Sequence, residues 1–194
     1  MICFQTLQDT TQASREAMLD GYIRLIAQGS RDGLEALYRE TRTAVYAYAL
    51  SILKDPHDAE DVLQDCFLRI HEAASAYSST GKSMAWIMTI ARNLCLMRLR
   101  QRQRTVELDE QDWTAHFASN SGMDADDRIV LAQCMSRLSE QERQIVTLHA
   151  VAGFKHREIA HFLQMPLATV LSKYHRSMHK LRKLLFKGED EHEP

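Results

Sequence analysis

Three prolines and seven glycines punctuate 194 residues, and neither internal proline sits where a strand would need it. Pro56 follows Asp55, an acid able to cap a helix whose first position accepts proline without loss. Pro166 closes Gln164-Met165-Pro166 and stops one helix from running into the next. Between these stops the apolar residues recur at helical spacing. Leu34, Leu37, Tyr38, Val45, Tyr48 and Ile52 form one stripe within about residues 32–53. Ala59, Val62, Leu63, Phe67 and Ile70 form another between Pro56 and about Ala76. Trp86, Ile87, Ile90, Leu94 and Met97 share a face over about 83–103, after a polar loop at Tyr77–Gly81. An earlier helix is expected over about 12–28, ending at Gly29.

The second half repeats the pattern. A helix over about 126–137 precedes Ser139-Glu140-Gln141-Glu142, which matches a capping box in which Ser139 caps and Glu142 reaches back. That second helix runs to near Gly153. A short helix at about 155–163 and a long one at about 167–186 follow. The fold class is therefore all-α, with two small domains of about four helices each and no strand.

Net charge is −2, from 24 Lys+Arg against 26 Asp+Glu, a balance that by itself argues against a nucleic-acid binder. The distribution says otherwise. Lys82, Arg92, Arg98, Arg100, Arg102 and Arg104 make 82–104 a block of +6 with no acid. Residues 105–127 carry seven acids and no base, and 155–187 nets +7. Two basic blocks flanking an acidic, Ser/Asn/Gly-containing stretch divide the chain into a domain at 1–104, a linker at 105–125, a domain at 126–187 and an acidic tail at 188–194.

Several function classes fall away. No apolar run approaches the length of a bilayer span, and the N-terminus lacks the basic and apolar regions of a signal peptide, so the expected location is the cytoplasm. Cys3, Cys66, Cys95 and Cys134 are isolated thiols with no Cys-x-x-Cys pair, neither a disulfide framework nor a zinc site. His156-x-Glu158 has no Pro-Cys-x-x-Cys to complete a deaminase centre, and His175 with His179 lacks a third ligand. No glycine-rich loop cradles a phosphate. The chain is not expected to be an enzyme or to need a metal or cofactor.

Glu158-Ile159-Ala160-x-x-Leu163, Met165-Pro166 and Thr169-Val170 have the layout of a helix-turn-helix. The short helix packs through Ile159, Ala160 and Leu163, and the long one through Val170, Tyr174 and Met178. Ser172, Lys173, His175, Arg176, His179 and Lys180 lie off that stripe and are free to meet DNA, the usual role of a second helix in a major groove. An ordinary αα-hairpin with a solvated basic face is the alternative. Glu60, Asp61, Gln64, Asp65 and Leu68 form an acidic stripe able to dock a basic surface, although a solvated helix face explains it as simply. Asn93 can read a base edge, with Thr89 and Arg100 on its flank. Trp86 falls within the apolar face.

The order of these motifs resembles the extracytoplasmic-function sigma factors of bacterial RNA polymerase. The matching segments are Asp58-Ala59-Glu60-Asp61-Val62-Leu63-Gln64-Asp65-Cys66-Phe67-Leu68-Arg69 and Trp86-Ile87-Met88-Thr89-Ile90-Ala91-Arg92-Asn93. Leu138-Ser139-Glu140-Gln141-Glu142-Arg143, Glu158-Ile159-Ala160 and Thr169-Val170-Leu171-Ser172-Lys173-x-His175-Arg176 follow, so the match spans about residues 20–186.

The resemblance implies a subunit that binds polymerase core and directs promoter-specific initiation. It implies that Asp61, Gln64, Asp65 and Leu68 face the β′ clamp helices, and that the C-terminal domain meets the β flap. Lys82, Arg92, Asn93 and Arg100 would serve the −10 element, Asn93 holding a flipped non-template base, with 73–81 as the specificity loop. Ser172, His175 and Arg176 would read the −35 element, with Lys173 and His179 on phosphates. An anti-sigma factor is implied as a further partner, and no direct membrane insertion. Two positions depart from the pattern. Met97 replaces the usual Asp and is expected to repack the core, and Leu171 replaces Lys or Arg near the −35 readers. A helix-turn-helix regulator that does not bind core is the competing reading.

Overall fold

Capping decides where the helices of this computed structural model begin, and the structure describes residues 2–104 and 135–186. Helix α1 is Ile2–Ala27, α2 Arg31–Leu53, α3 Pro56–Ala73 and α4 Ser83–Arg104. A single 3-10 turn, Ala74–Ala76, follows α3. The second group is α5 Glu140–Ala150, α6 His156–Phe162 and α7 Leu167–Phe186. The expected helix at 126–137 and the acidic linker and tail lie outside the described residues, except for the helical residues Met135 and Ser136 and the turn residue Arg137. No strand occurs among the described residues.

Asp55 caps α3 as the sequence implies, its carboxylate accepting from Asp58 N at 2.9 Å with Pro56 in the first turn. Ser139 caps α5, and the reciprocal bond is present, Ser139 N donating to Glu142 Oε2 at 2.9 Å. The cap of α2 escaped the sequence reading: Ser30 Oγ accepts from Gly33 N at 3.2 Å, starting the helix one residue before Asp32. Helix α1 begins ten residues earlier than expected, because nothing between Ile2 and Gln12 breaks a helix once started. Gly33 serves close approach. A Cβ there would stand 2.8 Å from Leu25 Cβ and 3.2 Å from Tyr22 O, so α1 and α2 touch backbone to backbone.

Helix α2 is the centre of the molecule. Leu37, Val45, Tyr48, Ala49 and Leu50 are wholly buried, walled by α1 (Leu19, Ile23), α3 (Ala59, Ile70) and α4 (Ile87, Met88, Ala91). The same core continues without a break into Ile145, Leu148, Phe154, Ile159 and Val170. The two helical groups are therefore packed together, a relationship the sequence left undetermined. Arg143, only 3% exposed, crosses between them and donates from Nε to Ser51 O at 3.3 Å and from a terminal nitrogen to Leu138 O at 2.6 Å. A smaller cluster of Met135, Leu138, Val146 and Leu181 seals the far end.

Three side chains placed on apolar faces by spacing are corrected here. Met97 is 46% exposed and does not repack the core. The buried face of α4 is Met84, Ile87, Met88, Ala91, Leu94 and Cys95, rotated away from the Trp86–Met97 line. Met178 is likewise exposed, its place on α7 taken by buried Ser177 and Leu181. Tyr38 is exposed along one side while its ring meets Phe67 edge-on at 4.9 Å. In each case the stripe lay at the border of a contact whose centre only packing reveals. Cys66 and Cys95 are the buried inert thiols expected, burial pushing each up to about 12.

Glu142 joins the cap of α5 to α7, both its carboxylate oxygens accepting from Lys180 Nζ at 2.9 Å. Burial would raise its pKa, but the Ser139 N–H and Lys180 outweigh burial and hold it below the usual carboxylate range. The exposed Arg69–Glu72 pair is worth only about 0.5 kcal/mol or less. By contrast Glu142→Gln should cost about 1–2 kcal/mol at pH 7 in urea denaturation, through the cap and the charge-assisted bond together. A depressed folded pKa contributes stability above the unfolded value near 4.5. The difference between wild type and variant should therefore shrink as pH falls below that value.

Candidate nucleic-acid and protein interfaces

The α3 stripe is displayed as the sequence implies. Asp61, Gln64, Asp65 and Leu68 are all exposed, Leu68 by 63%. They stand at i, i+3, i+4 and i+7, one continuous face opposite the buried Val62, Leu63 and Ile70. An acidic rim around a bare leucine suits a partner offering cations and a shallow apolar socket. Asp61 is not free, however. Arg98 of α4 bonds it and also donates from Nε to Asp58 Oδ1 at 2.9 Å. Arg102 similarly donates to Asp55 Oδ2 at 2.6 Å and pairs with Asp58.

The first basic block therefore divides. Arg98 and Arg102 spend their charge on the acids at the start of α3, while Lys82, Asn93 and Arg100 face solvent. Arg92 is half-buried, its guanidinium 5.9 Å from the centroid of the Phe162 ring on α6. Trp86 is also half-buried, tilted against Tyr77 at 4.7 Å. The Tyr77 hydroxyl and Ser83 Oγ lie 3.0 Å apart and pin the loop before α4. The loop at 73–81 is helical through Ala76, after which Tyr77 is extended.

Helices α6 and α7 form the helix-turn-helix. Gln164 takes a left-handed φ of 55° in the turn, and Met165 N donates to Ala160 O at 2.9 Å. Ile159 and Val170 are fully buried between the helices and Ala160 nearly so. Ser172, His175, Arg176 and His179 are exposed along one side of α7, with Lys173 half-exposed beside them. Lys180, grouped with them by sequence, is instead the partner of Glu142. Leu171 is half-exposed at the edge of that side.

Spacing alone missed an aromatic cluster behind that face. His149 and His156 stack at 4.4 Å between ring centroids, and Tyr174 meets both edge-on at 4.8 and 4.6 Å. His149 Nδ1 bonds Phe154 O at 2.8 Å, whereas His156 Nε2 is buried without a partner. The residues belong to three helices or their edges, so no local pattern joins them. Among the described residues there is no group of three or more His, Cys, Asp or Glu able to hold a metal.

Burial, His149 and His175 all push the His156 pKa below its usual value. A histidine held neutral by the fold stabilises it fully above the unfolded value of about 6.5 and loses that contribution as pH falls below it. Thermal melts should thus show a loss of stability as pH falls below about 6.5. The loss should be weaker in His156→Phe, which keeps the ring contacts and removes the titration; identical profiles would place the acid sensitivity elsewhere.

Comparison with known proteins agrees with this geometry. A Sigma-70 region 2 family model matches residues 37–105, and a Sigma-70 region 4 model matches 128–181. The chain is similar to the ECF RNA polymerase sigma factor SigK of Mycobacterium ulcerans (strain Agy99), 27% identical over 91% of this chain and 98% of that one. It is also similar to SigK of Mycolicibacterium vanbaalenii, 29% identical over 87% and 90% of the two chains. Among solved structures, the fold matches that of the sigma factor RpoE, solved with the anti-sigma factor NepR from Bartonella quintana. The TM-score is 0.64 at 22% identity, over 78% of this chain and 95% of that one. CnrH, solved with the cytosolic domain of CnrY, matches at 0.60 and 20% identity, over 87% and 97%.

Proposed function

The chain belongs to the extracytoplasmic-function sigma factors, which bind RNA polymerase core and direct promoter-specific transcription, and on that premise we propose how its surfaces divide the work. The α3 stripe of Asp61, Gln64, Asp65 and Leu68 docks the β′ clamp helices. The observation that carries this is Leu68, the most exposed large apolar side chain described, set among acids on an otherwise polar face. Lys82, Arg92, Asn93 and Arg100 serve the −10 element, with Asn93 holding an extruded base at a cost of a few kcal/mol offset by pocket contacts. Ser172, His175 and Arg176 read the −35 element, Lys173 and His179 bond its phosphates, and the same domain meets the β flap.

The working units in this reading are 1–104 and 126–187, with 105–125 as linker. Family membership places the chain among non-enzymatic transcription factors. The bond chemistry then belongs to the polymerase, and this chain contributes no catalytic group. No helix among the described residues is long and apolar enough to cross a membrane, and the reading places the chain in the cytoplasm beside its polymerase. An anti-sigma factor is the further partner, a proposal supported by the two structural neighbours having been solved with CnrY and NepR bound.

Reversing charge in Asp61→Lys with Asp65→Lys should reduce assembly with purified core at least ten-fold by gel filtration or fluorescence titration. Unchanged assembly would return the stripe to a solvated face. Arg176→Ala should weaken −35 recognition by about 1–3 kcal/mol at one or two base positions in holoenzyme binding. Weakening that ignores sequence would make Arg176 a phosphate contact instead.

A further inference from the structure

The loop that leads into α4 has nothing apolar to anchor it. After Tyr77 it reads Ser78-Ser79-Thr80-Gly81-Lys82, all exposed, with Gly81 in the left-handed region at a φ of 68°. A stretch without apolar side chains cannot offset the entropy of ordering by burial, so polar contacts must hold its shape. Those contacts lead to one face of α1, where Glu16 and Asp20 stand four residues apart. Glu16 accepts from Met84 N at 3.1 Å through its carboxylate and from Ser83 Oγ at 3.3 Å through its backbone carbonyl. A residue of another helix thus caps the first turn of α4. Ser83 Oγ is in turn 3.0 Å from the Tyr77 hydroxyl, whose ring lies against Trp86.

Asp20 holds the loop itself. It is buried, and Arg24, whose side chain is 66% exposed, pairs with its Oδ2. Oδ1 is buried and closes no hydrogen bond. The hydroxyls of Ser79, foremost, and Tyr77 nevertheless stabilise the charge against the burial that opposes it, and keep the carboxyl below the usual carboxylate range. The carboxylate thus faces the loop across contacts that are felt but not closed. A buried carboxylate with an unmet oxygen is costly to a helix whose core needs only Leu19, Ile23 and Ile26. Its partners beyond α1 are residues of the loop.

We propose that Asp20 is a positioning residue for −10 recognition. From beneath the loop it fixes Tyr77 and Ser79, and so sets the edge against which an extruded base is received. Glu16 sets the start of α4 from the same face, so loop and helix keep one spacing. Helix α1 thereby contributes to promoter reading without touching DNA. This inference rests on the −10 assignment above and on 73–81 as the base-capturing loop that the family resemblance implies.

In a Trp113→Phe background Trp86 is the one tryptophan, and Tyr77 lies 4.7 Å from it. Asp20→Ala and Ser79→Ala should each raise acrylamide quenching of Trp86 in the free chain, by roughly two-fold, as the loop opens. Unchanged quenching means that the loop is held by other contacts and overturns the proposal. Holoenzyme carrying either variant should bind −10 probes, changed one base at a time, with about five-fold less base preference at one position and with core binding unchanged. The double variant should be no worse than the worse single; losses that multiply mean that the two residues act separately, and sink the proposal. An Asp20→Ala chain that melts earlier but keeps its base preference reduces Asp20 to a scaffold residue. A wild-type holoenzyme with no −10 base preference removes the −10 assignment itself, which the quenching of the free chain does not touch.

Discussion

Everything in this molecule is arranged around a helix whose second half has almost no free side. Helix α2 buries Leu37, Val45, Tyr48, Ala49 and Leu50 completely, and its buried residues run on through Leu53. Three faces are taken by α1, α3 and α4, and the last turns meet α5 and α6 through Ser51 and Tyr48. A segment buried on every side ties each neighbour to the same core, so α4 and α7 share one hydrophobic interior. The guanidinium of Arg143 sits inside that interior on carbonyl oxygens, where leaving a donor unmet would cost more than an ordinary surface contact.

Charge is partitioned by the fold rather than by the sequence alone. Along the chain, residues 82–104 are one basic block, yet Arg98 and Arg102 are turned back onto Asp55, Asp58 and Asp61. Of the described remainder, Lys82, Asn93 and Arg100 face solvent, while Arg92 is partly shielded by Phe162. The second block loses Lys180 to Glu142 and keeps Lys173 and Arg176 on the outer side of α7. The acid stripe on α3 keeps Gln64, Asp65 and Leu68 unencumbered, while Asp61 is shared with Arg98.

Local chemistry was legible wherever a short-range rule applied. Asp55 before Pro56, and Ser139 three residues before Glu142, marked helix starts that the backbone obeys. The turn at Gln164–Pro166 and the bounds of α7 followed from proline and spacing. The exposed candidates on α3 and α7 were legible too, because helical periodicity separates outside from inside once a strong stripe exists. Met97 and Met178 were misplaced because a stripe names a direction to within about one residue, and only the neighbouring helix decides which flank is covered.

The sequence by itself determined an all-α chain, the starts of α3 and α5 from capping and proline chemistry, the bounds of α7, and the motif order that makes it a sigma factor. These depend on contacts within a few residues, which a linear pattern records. Tertiary structure alone decided which arginines are spent on acids and which histidines stack. It also decided that the helix-turn-helix is folded against α2 and α4 under a turn of α1. Those outcomes join residues as far apart as Gln12 and Glu158, and Ser51 and Arg143. No local periodicity constrains such pairs; shape and the burial of one continuous core select them.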